Sequence, residues 1–268
     1  MGNYRIVFTD LDGTILKKDK TITERTSKAL TGLKDKNILW AVATARPEVA
    51  IAFYDEIKHA DALITLNGAK IRLGDKVISN GLDNDIAVTI LKKLMEQDDL
   101  IITVETSEGI FGNIDIPEWE TPKIGDLVEL IKTVDVYKIL VAGREHDLQT
   151  IADSRDRFCT TSETEKRVDD AIAPFDSVYC SVAEGWLFQI MSRNATKWKG
   201  IELVLQTEGI DAKDAVYFGD DNDDTDSIRN CGLGVAMGNA IDRVKDAADV
   251  IAPSNEEDGV AFIIEERL

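Results

Sequence analysis

Phe8-Thr9-Asp10-Leu11-Asp12-Gly13-Thr14 decides how the rest of the chain is read. It continues the β-rich run of residues 5–9, so two carboxylates stand just past the end of a strand. Gly13 permits the sharp turn such a position needs. In an open α/β sheet, ligands gather at the carboxyl ends of the strands. An Asp-Gly pair by itself reads as a turn; two acids in that turn give it chemistry. With an unperturbed pKa of about 3.9, an Asp is ionised at neutral pH. It can attack phosphorus without a base to activate it, forming an acyl-phosphate. A second carboxyl nearby can protonate the leaving oxygen and then take a proton from water.

Outward from this turn, strand-like and helix-like segments alternate. Residues 23–36 have helical spacing, with Ala29, Leu30 and Leu33 on one side, and 38–43 read as a buried strand. Pro47 fits the first turn of a helix running to residue 57. Residues 62–66 form another strand, closed by Asn67-Gly68, and 71–73 and 77–79 flank Gly74-Asp75 as a small hairpin. The tail repeats the theme. Helices are expected over 197–207, 225–230, 241–247 and 259–265, and strands over 215–218, 234–236 and 250–252. This alternation predicts a parallel sheet covered on both faces. The middle differs in texture, with helices expected over 85–97, 124–132 and 147–155 and strands over 100–104, 136–142, 177–182 and 185–190. The expected fold is α/β: a Rossmann-like parallel-sheet core, residues 1–82 and 187–268, with an inserted α+β cap domain, residues 83–186.

A second acidic cluster, Gly219-Asp220-Asp221-Asn222-Asp223-Asp224, follows the apolar strand at 215–218. It lacks the Gly and Glu that a calcium-binding helix–loop–helix needs at its sixth and twelfth positions. So many like charges in one turn cost energy unless a cation is present. Oxygen-only ligands, without His or Cys, point to Mg²⁺.

Composition narrows the class. The chain has 268 residues, enough for one large domain or two ordinary ones. Hydrophobic residues make up 44% and charged residues 30%, which argues against global disorder. The net charge of −19 repels nucleic acid and anionic membrane, so neither is an expected partner. An anionic substrate would need local cations or a metal. No apolar run is long enough to cross a bilayer. Met1-Gly2 opens like a myristoylation site, but Ile6 stands where that motif wants Ser or Thr, and no signal-peptide core follows. Cys159, Cys180 and Cys231 are odd in number, widely spaced and not in CxxC pairs, which argues against a disulfide scaffold and against a zinc cluster. The expectation is a cytoplasmic monomer or homodimer.

Taken together, these segments resemble the motifs of the haloacid dehalogenase-like superfamily. Asp10-Leu11-Asp12-Gly13-Thr14 is similar to its motif I, Ala43-Thr44-Ala45-Arg46-Pro47 to motif II and Asn194-Ala195-Thr196-Lys197 to motif III. The 219–224 cluster resembles motif IV, G-D-x-x-N-D. Leu66-Asn67-Gly68-Ala69, Gly234-Val235-Ala236-Met237-Gly238-Asn239-Ala240 and Glu257-Asp258-Gly259-Val260-Ala261 are phrases of its Cof-like subgroup, which includes sucrose-phosphatase-like relatives. The inserted middle matches in length and placement a type IIB cap. The resemblance implies a Mg²⁺-dependent phosphatase acting on a small phosphorylated metabolite, with a sugar phosphate favoured. It implies Asp10 as nucleophile and Asp12 as general acid/base. The metal ion would be held by the Asp10 carboxylate, the Asp12 carbonyl and Asp220, with Asp224 close by. Thr44 and Lys197 would bind the phosphoryl group, with backbone N–H groups of Leu11 and Ala45.

Two positions depart from that pattern. Ala45 replaces a Gly, and strain is expected there if the backbone has positive φ. Asp223 stands at a phosphate-binding position where the pattern has Asn, and an ionised Asp cannot donate a hydrogen bond. It is expected to turn to the metal, pair with Lys197 or stay protonated. Lys199 lies two residues beyond Lys197 and cannot share its helix face. The alternatives are a phosphomutase and a catalytically weak relative that binds a metabolite or a partner.

Overall fold

Ile6–Thr9 forms a strand buried along its whole length, the first of a computed structural model describing residues 4–96, 99–116, 121–143, 162–183 and 186–268. In chain order this β1 is followed by α1 (Glu24–Thr31), β2 (Leu39–Ala43), β3 (Ala62–Thr65), β4 (Lys70–Leu73) and β5 (Lys76–Ser79). Next come α2 (Asn84–Leu94), β6 (Leu100–Thr106), β7 (Gly109–Gly112), α3 (Leu127–Leu130), β8 (Val136–Gly143), α4 (Ser162–Ile172), β9 (Val178–Ala183) and β10 (Leu187–Ser192). The chain closes with α5 (Lys197–Glu208), β11 (Ala215–Gly219), α6 (Thr225–Asn230), β12 (Leu233–Ala236), α7 (Asp242–Ala247), β13 (Val250–Ile251) and α8 (Gly259–Arg267). The chain divides into two compact units, Met1–Ile78 with Ala195–Leu268, and Ser79–Asn194.

The first unit is built on an eight-stranded sheet in the order β13-β12-β11-β1-β2-β3-β4-β5. From β13 to β3 the neighbours run parallel, and β4 turns back antiparallel to β3. Parallel strands covered on both faces read as continuous apolar runs. That is why Ile-Val-Phe, Trp-Ala-Val-Ala and Ala-Val-Tyr-Phe were legible as strands. Phe8, Val42, Val216, Tyr217 and Phe218 are fully enclosed; each large apolar side chain so buried contributes about 1.5–3 kcal/mol. β1 has β11 on one side and β2 on the other, so the order of the parallel strands reverses there. At such a switch point a crevice opens beyond the carboxyl ends of the strands.

Residues 47–57 differ from expectation. They form two short 3-10 turns, Glu48–Ala50 and Glu56–His59, in place of an α-helix. The inward residues are Ile51, Tyr54 and Ile57, all buried, while Val49 and Phe53 face solvent. A spacing of three is the period of the 3-10 helix, and it cannot keep one face inward over an α-helix of this length.

The second unit is an antiparallel five-stranded sheet, β7-β6-β8-β10-β9. Leu100, Ile102 and Val104 of β6, Ile139 and Val141 of β8 and Phe188 and Ile190 of β10 alternate into one core. Ala87, Ile90, Leu91 and Leu94 of α2, with Val168 and Ala171 of α4, complete it. The Asp83 carboxylate caps α2 through the N–H groups of Asp85 and Ile86. The opposite face of the sheet carries Thr103, Glu105 and Lys138, all buried. Helix α4 was not read from the sequence, because its eleven-residue span is dominated by charge. Its signal was Thr164, Val168, Ala171 and Ile172 at helical spacing. The expected helix at 147–155, His146 and Cys159 lie outside the described residues. Cys180 and Cys231 are free, and burial pushes their thiols up to about 11 and about 12. No helix among the described residues is long and apolar enough to cross a membrane.

Candidate active site

β1, β2, β3 and β11 are mutually parallel, so the residues that follow them meet along one edge of the sheet. Asp10 follows β1, Thr44 follows β2, Leu66 follows β3 and Asp220 follows β11. The Asp10 N–H donates to the Phe218 carbonyl at 2.9 Å, and the Thr44 N–H to the Ile64 carbonyl at 2.8 Å. The sheet ladder thus extends into the loops and fixes where both side chains start. Gly13 adopts φ +76, and a Cβ there would strike the Asp220 carboxylate, so the turn between the acids admits only glycine.

Lys197 is the first residue of α5, whose N-cap is Thr196; the Thr196 hydroxyl accepts from the Lys199 N–H at 3.2 Å. The Lys197 side chain is 3% exposed. Its Nζ donates to Asp10 Oδ1 at 2.7 Å and to Asp224 Oδ1 at 2.7 Å, and lies 3.2 Å from Asp223 Oδ1. Burial works against the Lys197 charge, yet the three carboxylates, led by Asp10 and Asp224, hold it well above the usual lysine range. Lys199 faces outward and pairs with Glu202 at 2.6 Å.

Asp224 is fully buried, and all its acceptor capacity is used. Oδ1 accepts from Lys197 Nζ and, at 2.6 Å, from Tyr217 Oη; Oδ2 accepts from the N–H groups of Asp220 at 2.8 Å and Asp221 at 3.0 Å. This carboxylate therefore shapes the loop that presents Asp220. Burial raises Asp220 to about 6, with Asp224 adding to the push, while the Thr14 hydroxyl donates to its Oδ1 at 3.0 Å. Burial likewise raises Asp10 well above the carboxylate range, against the pull of Lys197 and with Asp224 and Asp223 adding to the rise. Asp223 is raised by burial as well. Negative charge is thus in excess around Asp10 and Asp220.

Asp12 sits differently. Its carboxylate is clamped by Arg46, with Nε on Oδ2 and Nη2 on Oδ1 both at 2.6 Å, and Lys20 Nζ reaches Oδ1 at 2.6 Å. Burial raises its pKa, but the hydrogen bonds from Arg46 and Lys20 outweigh it and hold Asp12 below the usual range. Thr44 is buried, and its hydroxyl accepts from the Arg46 N–H at 3.2 Å. Ala45 is exposed and is not among the residues with positive φ, so the strain expected there is absent.

The haloacid dehalogenase-like hydrolase family matches residues 7–264. The chain belongs to that family. Among relatives, a 5-amino-6-(5-phospho-D-ribitylamino)uracil phosphatase of Bacillus subtilis is 26% identical over 275 residues, covering 97% of this chain and 96% of that protein. A crystal structure from Thermotoga maritima superposes with a TM-score of 0.83 at 22% identity, covering 99% of this chain and 98% of that one. A HAD subclass IIB sugar phosphatase superposes with a TM-score of 0.73 at 22% identity, covering 98% of each chain. Together these place the hydrolase in the Cof-like group and its fold in the α/β class.

In this hydrolase the edge of the sheet brings together Asp10, Asp220, Asp223, Asp224 and Lys197, and links Asp12 to Arg46. Sequence reading missed the partners that organise them: Arg46 and Lys20 on Asp12, Tyr217 on Asp224, and Asn239, whose Nδ2 donates to the Gly13 carbonyl at 2.8 Å. Arg46 and Asn239 stood inside quoted motifs; nothing local marked Lys20 or Tyr217. Asp10, Asp220 and Asp224 each offer a carboxylate oxygen, and these lie within 4.8 Å of one another. An all-oxygen, net-negative set of this kind fits a hard divalent cation. With Asp224 saturated, Asp10 and Asp220 retain the open acceptor positions.

Proposed function

We propose that this hydrolase is a Mg²⁺-dependent phosphatase that cleaves a small phosphorylated metabolite, with a sugar phosphate favoured. The observation that carries the reading is Asp10, buried beside Lys197 at 2.7 Å and sharing a carboxylate cluster with Asp220. Asp10 attacks phosphorus, the ester P–O bond breaks, and the leaving oxygen takes a proton from Asp12. Asp12 then accepts a proton from water as the water oxygen attacks the aspartyl-phosphate, releasing phosphate and restoring Asp10. Lys197 and Thr44 neutralise and orient the phosphoryl oxygens, where phosphoryl transfer gains most of its rate. Asp10, Asp220 and the Asp12 carbonyl would hold Mg²⁺, which supplies the positive charge the chain as a whole lacks. Arg46 and Lys20 keep Asp12 ionised, the form needed to deprotonate water. To protonate the leaving group, Asp12 must first be freed from part of this clamp, so substrate binding and release of the clamp belong to one event.

The relatives named as phosphatases, and the sugar phosphatase among the structural neighbours, support the activity and the substrate class. The second unit, as a type IIB-like cap, is where specificity for the leaving group would reside. The test is phosphate release from a panel of sugar phosphates and an aryl phosphate, with and without Mg²⁺, by wild type and Asp10→Asn. The substitution should reduce release at least about 10³-fold; surviving activity would remove the nucleophile. A second reading, a metabolite-binding protein with negligible turnover, is favoured by Asp223, whose carboxylate competes with a phosphoryl group for Lys197. It predicts ligand-induced stabilisation without phosphate release across the panel.

A further inference from the structure

Lys17-Lys18-Asp19-Lys20 forms a tight turn shortly after the first pair of acids, and it is held harder than a surface turn needs. The Lys20 N–H donates to the Lys17 carbonyl at 2.9 Å, and the Lys17 N–H to the Thr21 carbonyl at 3.0 Å. The Asp19 carboxylate accepts from the Thr21 N–H at 3.1 Å and the Thr21 hydroxyl at 2.6 Å. Glu256 Oε1 accepts from the Lys18 N–H at 2.8 Å. These bonds set Lys20 at φ 64, in the left-handed region. Glycine or asparagine would sit there with less steric resistance. Backbone strain of this kind persists where surrounding contacts over-determine it, and it clusters at ligand clamps.

The strained residue aims its side chain at Asp12. Lys20 Nζ lies 2.6 Å from Asp12 Oδ1. Asp12 does not need this lysine for orientation, because the Arg46 guanidinium already engages both carboxylate oxygens. A forked contact of that kind fixes direction as well as charge. Two cations therefore face one acid, in a chain whose net charge is −19. The two are unequal: the Arg46 side chain is 26% exposed and that of Lys20 56%. A single exposed ion contact is the weaker one, so Lys20 is the part of the clamp that lets go. Of its three N–H donors, one is engaged among the described residues. An ester oxygen that takes its proton from Asp12 must come within hydrogen-bond reach of that carboxylate, which puts it roughly 5 Å from the Lys20 ammonium. An anionic group one or two carbons beyond the ester oxygen then meets the ammonium directly. A carboxylate fits best. It is the group Lys20 already holds, so the lysine exchanges one carboxylate for another as Asp12 is freed. A second phosphate would bring nearly two negative charges to a place with one positive charge in excess.

We infer that Lys20 determines specificity by binding a carboxylate on the leaving alcohol, so that the preferred substrate is the phosphate ester of a hydroxy acid, sugar acids included. The inference rests on the phosphatase reading, which puts the leaving oxygen at Asp12. Two pairs of esters test it, each pair differing by a carboxylate in place of a hydroxymethyl group. Phosphoglycolate is set against hydroxyethyl phosphate, and 3-phosphoglycerate against glycerol 3-phosphate. The kcat/KM of each is measured in Mg²⁺ with wild type, with Lys20→Gly, which suits the left-handed backbone and removes the ammonium, and with Lys20→Arg, which keeps the charge. Wild type should favour the acid at least about tenfold in one pair, the factor expected of a charge-assisted hydrogen bond. Lys20→Gly should abolish that preference, chiefly through KM, and Lys20→Arg should restore most of it. A wild type without preference in either pair overturns the inference. So does a Lys20→Gly variant that slows both members of a pair alike, since Lys20 would then hold Asp12 and nothing else. Turnover of the uncharged esters or of sugar phosphates without preference for the acids sinks this inference alone. No phosphate release from any ester, an aryl phosphate included, sinks the phosphatase reading with it.

Discussion

Two lysines are buried to almost the same degree, and their surroundings differ completely. Lys197 in the first unit is 3% exposed and Lys138 in the second 5%. Lys197 meets Asp10, Asp224 and Asp223 directly. Lys138 stands opposite Glu105 on the neighbouring strand but donates to Gln189 Oε1 at 3.0 Å, and Glu105 Oε2 is left without a partner. Both arrangements lose hydration. Only the first recovers it through short charge-assisted contacts, and there the partners exceed the lysine in number. The comparison shows that burial by itself does not make a reactive site. What sets the first apart is its surplus of carboxylates, an all-oxygen, net-negative set that suits a hard cation.

The widest separation is expected on removing each lysine. Lys197→Met leaves several carboxylates buried without a counter-charge and should cost about 3–5 kcal/mol in urea unfolding, with phosphate release lost. Lys138→Met removes one hydrogen bond and leaves a carboxyl that can take up a proton, so about 1 kcal/mol is expected. Equal losses would erase the distinction.

The surplus negative charge is tested next by Mg²⁺ itself. A cation that binds only the folded chain stabilises it by about 2.7 kcal/mol at one hundred times its Kd. Tm should rise with Mg²⁺ in wild type and stay flat in Asp220→Asn. An unchanged wild-type Tm at millimolar Mg²⁺ would say that the carboxylates are balanced by Lys197 alone.

Glu105 gives a smaller effect with a definite sign. Burial raises its folded-state pKa above the unfolded value, against the pull of Lys138. The folded state therefore holds this proton more tightly, and its contribution to stability is present below the unfolded pKa and lost as pH rises through the folded one. Glu105→Gln should be more stable than wild type by about 1–2 kcal/mol at pH 8, with the gap narrowing towards pH 5. A gap that widens towards acid would mean the carboxylate is paired after all. Asp223→Asn should have the least effect, changing phosphate release by less than about threefold, or some 0.65 kcal/mol. It removes only the longest of the Lys197 contacts, at 3.2 Å against 2.7 Å for Asp10 and Asp224. A larger gain would identify the native acid as a handicap.

Legibility followed the range of the interactions involved. The strands of the first sheet were readable because buried parallel strands are apolar throughout, and Asp10, Thr44 and Asp220 were readable because each stands directly after one. The turns at residues 48–59 were misread because Ile51, Tyr54 and Ile57 answer to a tertiary face, and α4 was passed over because its apolar stripe is thin. The clamp on Asp12 was missed because Arg46 lies 34 residues away and nothing local fixes its direction.

What the chain determined unaided is therefore local and periodic: which runs bury both faces, where Gly13 lets the backbone turn, and which carboxylates and lysine stand at strand and helix ends. Partnership was decided only on folding. Lys197 meets Asp10 across 187 residues of sequence, and whether an acid at the sheet edge is saturated like Asp224, clamped like Asp12 or left open like Asp220 depends on donors from distant segments. The reason is physical. Propensity and hydrophobic pattern act within a few residues, whereas the ionisation of a buried group is set by everything within a few ångströms, whatever its place in the chain.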